Sequence, residues 1–286
     1  MSPASPAFIE RAPRDVAGWA ALFKPAELPV LEDTAASIED WRAIEDEVDA
    51  HLLAESLAGD PLMTLKLLAH VALTRSQRGW DDERSDVETI TEALVLLGIG
   101  PFFRAFGQQP VAEHWLASYP TALAGFQSVL RRAHRAANFA IGFAAHRMDH
   151  DAALIHQAAL LHDFAELLLW LRAPTLAQAI RAAQQADPGL RSAQAQKDVL
   201  NIRLAELQRA LMKAWRLPAL LTRITDERHA DDPQVRNVTL AVRLARHSAA
   251  GWDNPAIPDD VADIARLLQL GEEPARRLLL DIDSGF

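Results

Sequence analysis

The stretch Ala158-Ala-Leu-Leu-His-Asp-Phe-Ala-Glu-Leu-Leu-Leu-Trp-Leu171 decides how this chain is read. Its apolar residues recur at spacings of three and four, which is a helical pattern. His162, Asp163 and Glu166 interrupt it. Ionisable residues inside apolar sequence are costly unless they are paired or bound to something. Extended backward to Ala152, the stretch also contains His156 and Gln157, so it does not read as a membrane span. A turn at Asp149-His150-Asp151 precedes it, and before that turn runs another helical pattern. That earlier helix carries His134, 28 residues ahead of His162. An antiparallel hairpin of the two helices would bring His134 toward the His162-Asp163 pair. Two readings fit. Two imidazoles and a carboxylate suit a divalent transition metal. Alternatively, Asp163 accepts a hydrogen bond from an imidazole and the group pins two helices. His146 and His150, four apart, read as a polar helix terminus beside Arg147, Asp149 and Asp151.

The helical pattern continues outward in both directions. From Leu28 onward no Val/Ile/Thr alternation is long enough for a strand, and Ala, Leu, Arg, Glu and Gln abound. The fold class expected is all-α, a compact multi-helix domain of roughly a dozen helices. Ser37 with Asp40 resembles a capping box. Asp60-Pro61 places an N-cap before a first-turn proline. Asp86 is expected to cap a helix running to Leu97, with Gly98 ending it. Pro101, Pro120, Pro174, Pro218, Pro233 and Pro258 mark further helix starts. The core is expected along Leu65, Leu68, Leu94, Leu97, Phe139, Leu160, Leu161 and Leu168. Residues 1–27, with Pro3, Pro6, Pro13 and Pro25, read as a loose lead-in holding one short amphipathic piece around Asp15 to Phe23. Residues 28–286 read as one helical domain, with 233–286 as a C-terminal helical extension.

Composition narrows the function. Cysteine is absent, which excludes disulfides, thiolate metal sites and cysteine nucleophiles. The N-terminus lacks a basic start followed by an apolar run, so the cytoplasm is the expected compartment and no membrane contact is expected. The formal charge is −10, from 29 basic and 39 acidic residues. That disfavours nucleic acid, whose binding draws on phosphate neutralisation. Arg131, Arg132 and Arg135 form the best basic cluster and read as a solvated helix face. No P-loop, dinucleotide fingerprint, nucleophile elbow or HExxH is present. Trp80, in a polar segment, reads as tucked back onto the domain, with a partner contact as the alternative.

Five landmarks in order resemble the HDOD family, the output-domain branch of the HD phosphohydrolase superfamily. They are Leu28-Pro29, Leu53-Ala-Glu-Ser-Leu-Ala-Gly-Asp-Pro-Leu-Met-Thr-Leu-Lys-Leu-Leu68, Ile90-Thr-Glu-Ala-Leu-Val-Leu-Leu-Gly98, Ala159-Leu-Leu-His-Asp163, and Ala205-Glu-Leu with Trp215-Arg-Leu-Pro218. The resemblance spans about Leu28 to Ser248. It implies an all-α fold and a place in bacterial signalling, mostly without catalysis.

Catalytic HD enzymes hold metal through a pattern H…HD…D, with further histidines in binuclear relatives. The resemblance puts that pattern at His134, His162 and Asp163, with His229 as a further candidate ligand. The remaining ligand positions fall on Leu204, Arg228 and Val242. Leu and Val cannot ligate, and Arg228 repels a dication. The resemblance therefore implies a vestigial or weak metal site, with no catalytic residue and no cofactor beyond a weakly held divalent metal. The function expected is a non-catalytic regulatory module that binds a protein partner acting in trans or a small-molecule signal. The alternative is a divalent-metal-dependent phosphohydrolase or phosphodiesterase. A shifted register would offer Asp226, Asp231 or Asp232 as the late carboxylate.

Overall fold

A computed structural model describes residues 7–77, 87–187, 189–229 and 231–285, apart from the side chain of Glu227. Seventeen α-helices lie among them. The first seven are α1 Val16–Ala20, α2 Glu32–Ala43, α3 Ala50–Leu57, α4 Pro61–Gln77, α5 Ile90–Leu97, α6 Ile99–Ala105 and α7 Ala112–Leu116. Next come α8 Pro120–Arg147, α9 Ala152–Leu161, α10 Phe164–Arg172, α11 Pro174–Ala186, α12 Ser192–Leu200 and α13 Leu204–Ala214. The last four are α14 Ala219–Ile224, α15 Pro233–His247, α16 Ile257–Leu268 and α17 Glu272–Ser284. Among the described residues the β structure is one isolated parallel bridge, Val30 with Val111. The all-α expectation holds.

The chain divides into two compact units, each made of two segments: Met1–Val129 with Asp163–Pro218, and Leu130–His162 with Ala219–Phe286. The sequence carries no composition shift at any of the three boundaries. In the first unit α4 is the central element, with ten residues buried from Pro61 to Val71. Asp60 starts it as read from sequence: its Oδ1 accepts from the backbone N–H of Leu62 (2.7 Å) and Met63 (3.0 Å). Gly125 on α8 lets the Trp170 ring of α10 press against the helix, because a Cβ there would lie 2.6 Å from three ring atoms. In the second unit α9 and α15 pack together, and α16 and α17 follow α15 in turn. The segment 233–286 lies within that unit. Arg135 on α8 forks onto Asp283 of α17 (Nε 2.8 Å, Nη2 3.1 Å) and also donates to Ser248. Trp252 donates to the same carboxylate. Arg135 therefore ties helices of this unit together.

Several expectations change. The lead-in is held, not loose, over its described part: Trp19 is fully buried and its Nε1 donates to the Leu200 carbonyl at 2.9 Å. Ile9 N–H donates to the Arg172 carbonyl. Ser37 lies inside α2, whose N-cap is Leu31, so it is no cap. Thr89 caps α5 through a capping box with Glu92, while Asp86 and Trp80 lie outside the described residues. Gly98 ends α5 at φ 81°, as expected. Of the expected core, Leu97 is half-buried and the other seven are buried.

Candidate functional site

The apolar stretch that opened the reading is broken at its polar pair. α9 ends at Leu161, and His162 sits at its C-cap with φ −58° and ψ −34°. Asp163 has φ −111° and ψ 22° and stands at the N-cap of α10 without a side-chain capping bond. Its carbonyl accepts from Glu166 N–H at 2.9 Å. Both side chains are half-buried. Asp is a poor interior helix residue because it competes for backbone donors, so it marks the break. α8 carries His134 and ends in a Schellman closure at Met148, and α9 begins at Ala152. Arg147 donates to the Pro233 carbonyl and Asp151 accepts from Gln234, which ties this turn to the start of α15.

His156, not marked as a site residue from sequence, is the histidine that His134 affects. Burial pushes the His156 imidazole toward its neutral form, and His134 adds to that push. The signal was in the sequence: His156 belongs to the same apolar helix as Leu154, Ile155, Leu160 and Leu161.

The other metal positions carry no ligands. Leu204 is buried at the first turn of α13, and Val242 is buried in α15. Arg228 is exposed and forks onto Asp226, both oxygens accepting from Nε at 2.9 Å. His229 is exposed in a short 3-10 turn. Asp232 caps α15 through Gln234 N–H and pairs with Arg223, and Asp231 is exposed. Among the described residues no three His, Asp or Glu side chains group so as to hold a metal ion.

The most strongly held polar group lies elsewhere. Asp60 is 1% exposed and accepts a third backbone bond, from Leu31 N–H at 2.7 Å. Lys66, 5% exposed, donates from Nζ to the Leu28 carbonyl at 2.7 Å and to Gln109. Burial lowers the Lys66 ammonium to about 8, opposed by the Asp60 charge. Burial also raises Asp60, against its backbone donors. In the second unit Asp260, 1% exposed, meets Arg243 Nε and His247 Nδ1, each at 2.6 Å.

The HDOD domain model matches residues 28–231. This chain belongs to the HDOD family. Its fold is shared by solved structures of low identity. The MmoQ response regulator from Methylococcus capsulatus str. Bath is 21% identical, with 89% of this chain and 98% of that chain covered and a TM-score of 0.66. A virulence factor from Campylobacter jejuni subsp. jejuni is 18% identical, with 90% of each chain covered and a TM-score of 0.60. A search of curated proteins gave no match. The HDOD landmarks now have a physical content. Leu28-Pro29 and the Asp60…Lys66 motif, apart in sequence, are the two halves of one buried polar clasp. The stretch Ala152–Arg172 is long and apolar enough to cross a membrane by composition, and 67% of it is buried in the structure.

Proposed function

We propose that this HDOD chain is a non-catalytic regulatory module of signal transduction that works by holding a protein partner in trans or a small-molecule signal. The observation that supports it most is the fate of the ligand positions. Leu204 and Val242, 8% and 3% exposed, are packed into apolar surroundings, and Arg228 is engaged by Asp226. Two imidazoles and one carboxylate leave a dication a net charge of about +1 and an incomplete tetrahedral set. Phosphoester hydrolysis by a metal needs an acidified metal-bound water and a clamp on developing charge. The name of MmoQ, a response regulator, agrees with a signalling role.

The test is metal analysis after dialysis, joined to a product assay on cyclic dinucleotides and simple phosphodiesters with Mn²⁺, Mg²⁺ or Ni²⁺. We expect no retained stoichiometric metal and no turnover. Turnover by the parent that His162→Ala abolishes would overturn this reading and establish the phosphohydrolase one, with His134, His162 and Asp163 as its ligands.

A further inference from the structure

α5 is apolar on more than one side. Of its eight residues only Thr91 and Glu92 are polar. Ile90, Ala93 and Leu94 face inward and are buried, yet Val95 is 64% and Leu96 46% exposed. A helix that is apolar all round is ordinarily enclosed. Here the second apolar side is uncovered. α3 packs against α5 and adds Leu52, 40% exposed. Single exposed apolar residues need no explanation, but several on two adjoining helices mark an interaction surface.

The two segments that carry these residues have charge of one sign in the sequence. Residues 44–57 carry five carboxylates and residues 87–97 two more, and neither segment contains Lys or Arg. His51 is the one basic-type side chain in them. Of two neighbouring cations, one is drawn away from the face and one sits beside a single carboxylate at its edge. Arg42 of α2 turns its guanidinium to the carbonyls of Phe103 and Phe106 at 2.8 and 2.9 Å. Arg104 of α6 lies beside Glu45 at Gly100.

We infer that the α3–α5 face of this chain docks a cationic amphipathic helix of a partner protein. Its apolar side would cover Leu52, Val95 and Leu96, and its Lys and Arg residues would meet the surrounding carboxylates. Two packed helices present ridges and grooves that a third helix fits. Opposite charge then sets the partner's sign and speeds encounter. This inference rests on the reading that the chain works by holding a protein in trans.

The experiment uses the full chain and two labelled peptides of about 18 residues, long enough for five helical turns. Both place Leu on one helix face. One carries Lys on the other face and the second carries Glu. Fluorescence anisotropy is expected to show binding of the Leu/Lys peptide alone, weakening as salt rises. The Val95→Ser/Leu96→Ser variant, changed only at exposed positions, is expected to keep the parent's melting temperature and to weaken binding at least about tenfold. Equal binding of both peptides, parent-like affinity in the double variant, or no binding to the parent would overturn the inference. Self-association of the parent that the double variant abolishes would overturn it in favour of a second copy. Turnover in the metal assay would remove the regulatory reading while leaving the peptide result standing. Failed peptide discrimination without turnover removes this inference alone.

Discussion

Lys66 Nζ donates to the carbonyl oxygen of Leu28 at 2.7 Å, inside a region where Lys66 is only 5% exposed. A buried ammonium carries a desolvation cost, and this one is met by a carbonyl, by Gln109 and by the nearby Asp60 charge. Asp60 in turn holds Leu31 N–H and the first turn of α4. The clasp fixes the chain entering α2 against the central helix of its unit. Lys66→Met removes the donor and leaves the Leu28 carbonyl and Gln109 unsatisfied. It is expected to destabilise the protein by about 1–3 kcal/mol. Denaturant unfolding at neutral pH measures this, and a variant as stable as the parent would show that the clasp is dispensable.

The same residue gives a pH dependence with a defined sign. The ordinary lysine value is 10.5, and Lys66 is held at about 8 in the folded chain. Between about pH 8 and 10.5 the unfolded chain binds a proton that the folded chain has released. Stability therefore gains an upward slope with pH in that window. The parent is expected to show that slope relative to Lys66→Met when unfolding is followed from pH 7.5 to 10, values spanning about the window set by the shift. Parallel curves would contradict it.

On the acid side the slope has the same sign, stability rising with pH. Burial holds His156 below the usual 6.5, with His134 adding to it, and burial lowers His70 as well. Such imidazoles stay neutral in the folded chain while the unfolded chain takes up protons. Their contribution is intact above about pH 6.5 and falls as pH drops through and below that value. His156→Gln is expected to flatten part of the loss between about pH 7 and 5, with His70 accounting for a remainder. Thermal melts across that range check it, and a slope unchanged by the substitution would refute the assignment.

Much of this was legible in the sequence, and the gaps have physical causes. The three-and-four apolar spacing gave the helices, and Asp60-Pro61 and Gly98 marked true ends because their backbone chemistry is local. Ser37–Asp40 misled because a capping pair inside a continuing helix looks the same as one at its start. The break at His162-Asp163 was hidden by apolar residues on both sides of it. His134 could be placed on the helix before the His162-Asp163 pair from spacing alone. The influence of His134 on His156 depends on helix rotation, which spacing does not report. The Leu28–Lys66 contact joins residues 38 apart, and no periodicity announces it.

Met148 offers a direct test of backbone strain. It closes α8 with φ 57° and its side chain is 83% exposed. Its N–H donates to Ala145 and that of Asp149 to Ala144, the bond pair of a Schellman motif whose left-handed position favours Gly. Met148→Gly should raise stability by about 1 kcal/mol. A fall in melting temperature would show that the methionine makes a compensating contact.

Val242 supplies the final test, because it joins packing to the metal question. It is 3% exposed in α15, in the same unit as His134 and His162, at the position where catalytic HD relatives place an aspartate. Val242→Asp puts a carboxylate among apolar neighbours, so without metal it should lower stability by several kcal/mol, or about 3–5 if the charge stays unpaired. With a dication, the added carboxylate would join the imidazoles of His134 and His162, which lie in the same unit. A ligand that binds only the folded state stabilises it by mass action. Added Mn²⁺ is therefore expected to raise the melting temperature of the variant and leave that of the parent unchanged. Turnover should stay absent in the variant, since Arg228 and Leu204 remain. Equal Mn²⁺ response in parent and variant would place the missing ligand elsewhere and void the register on which Val242 was assigned.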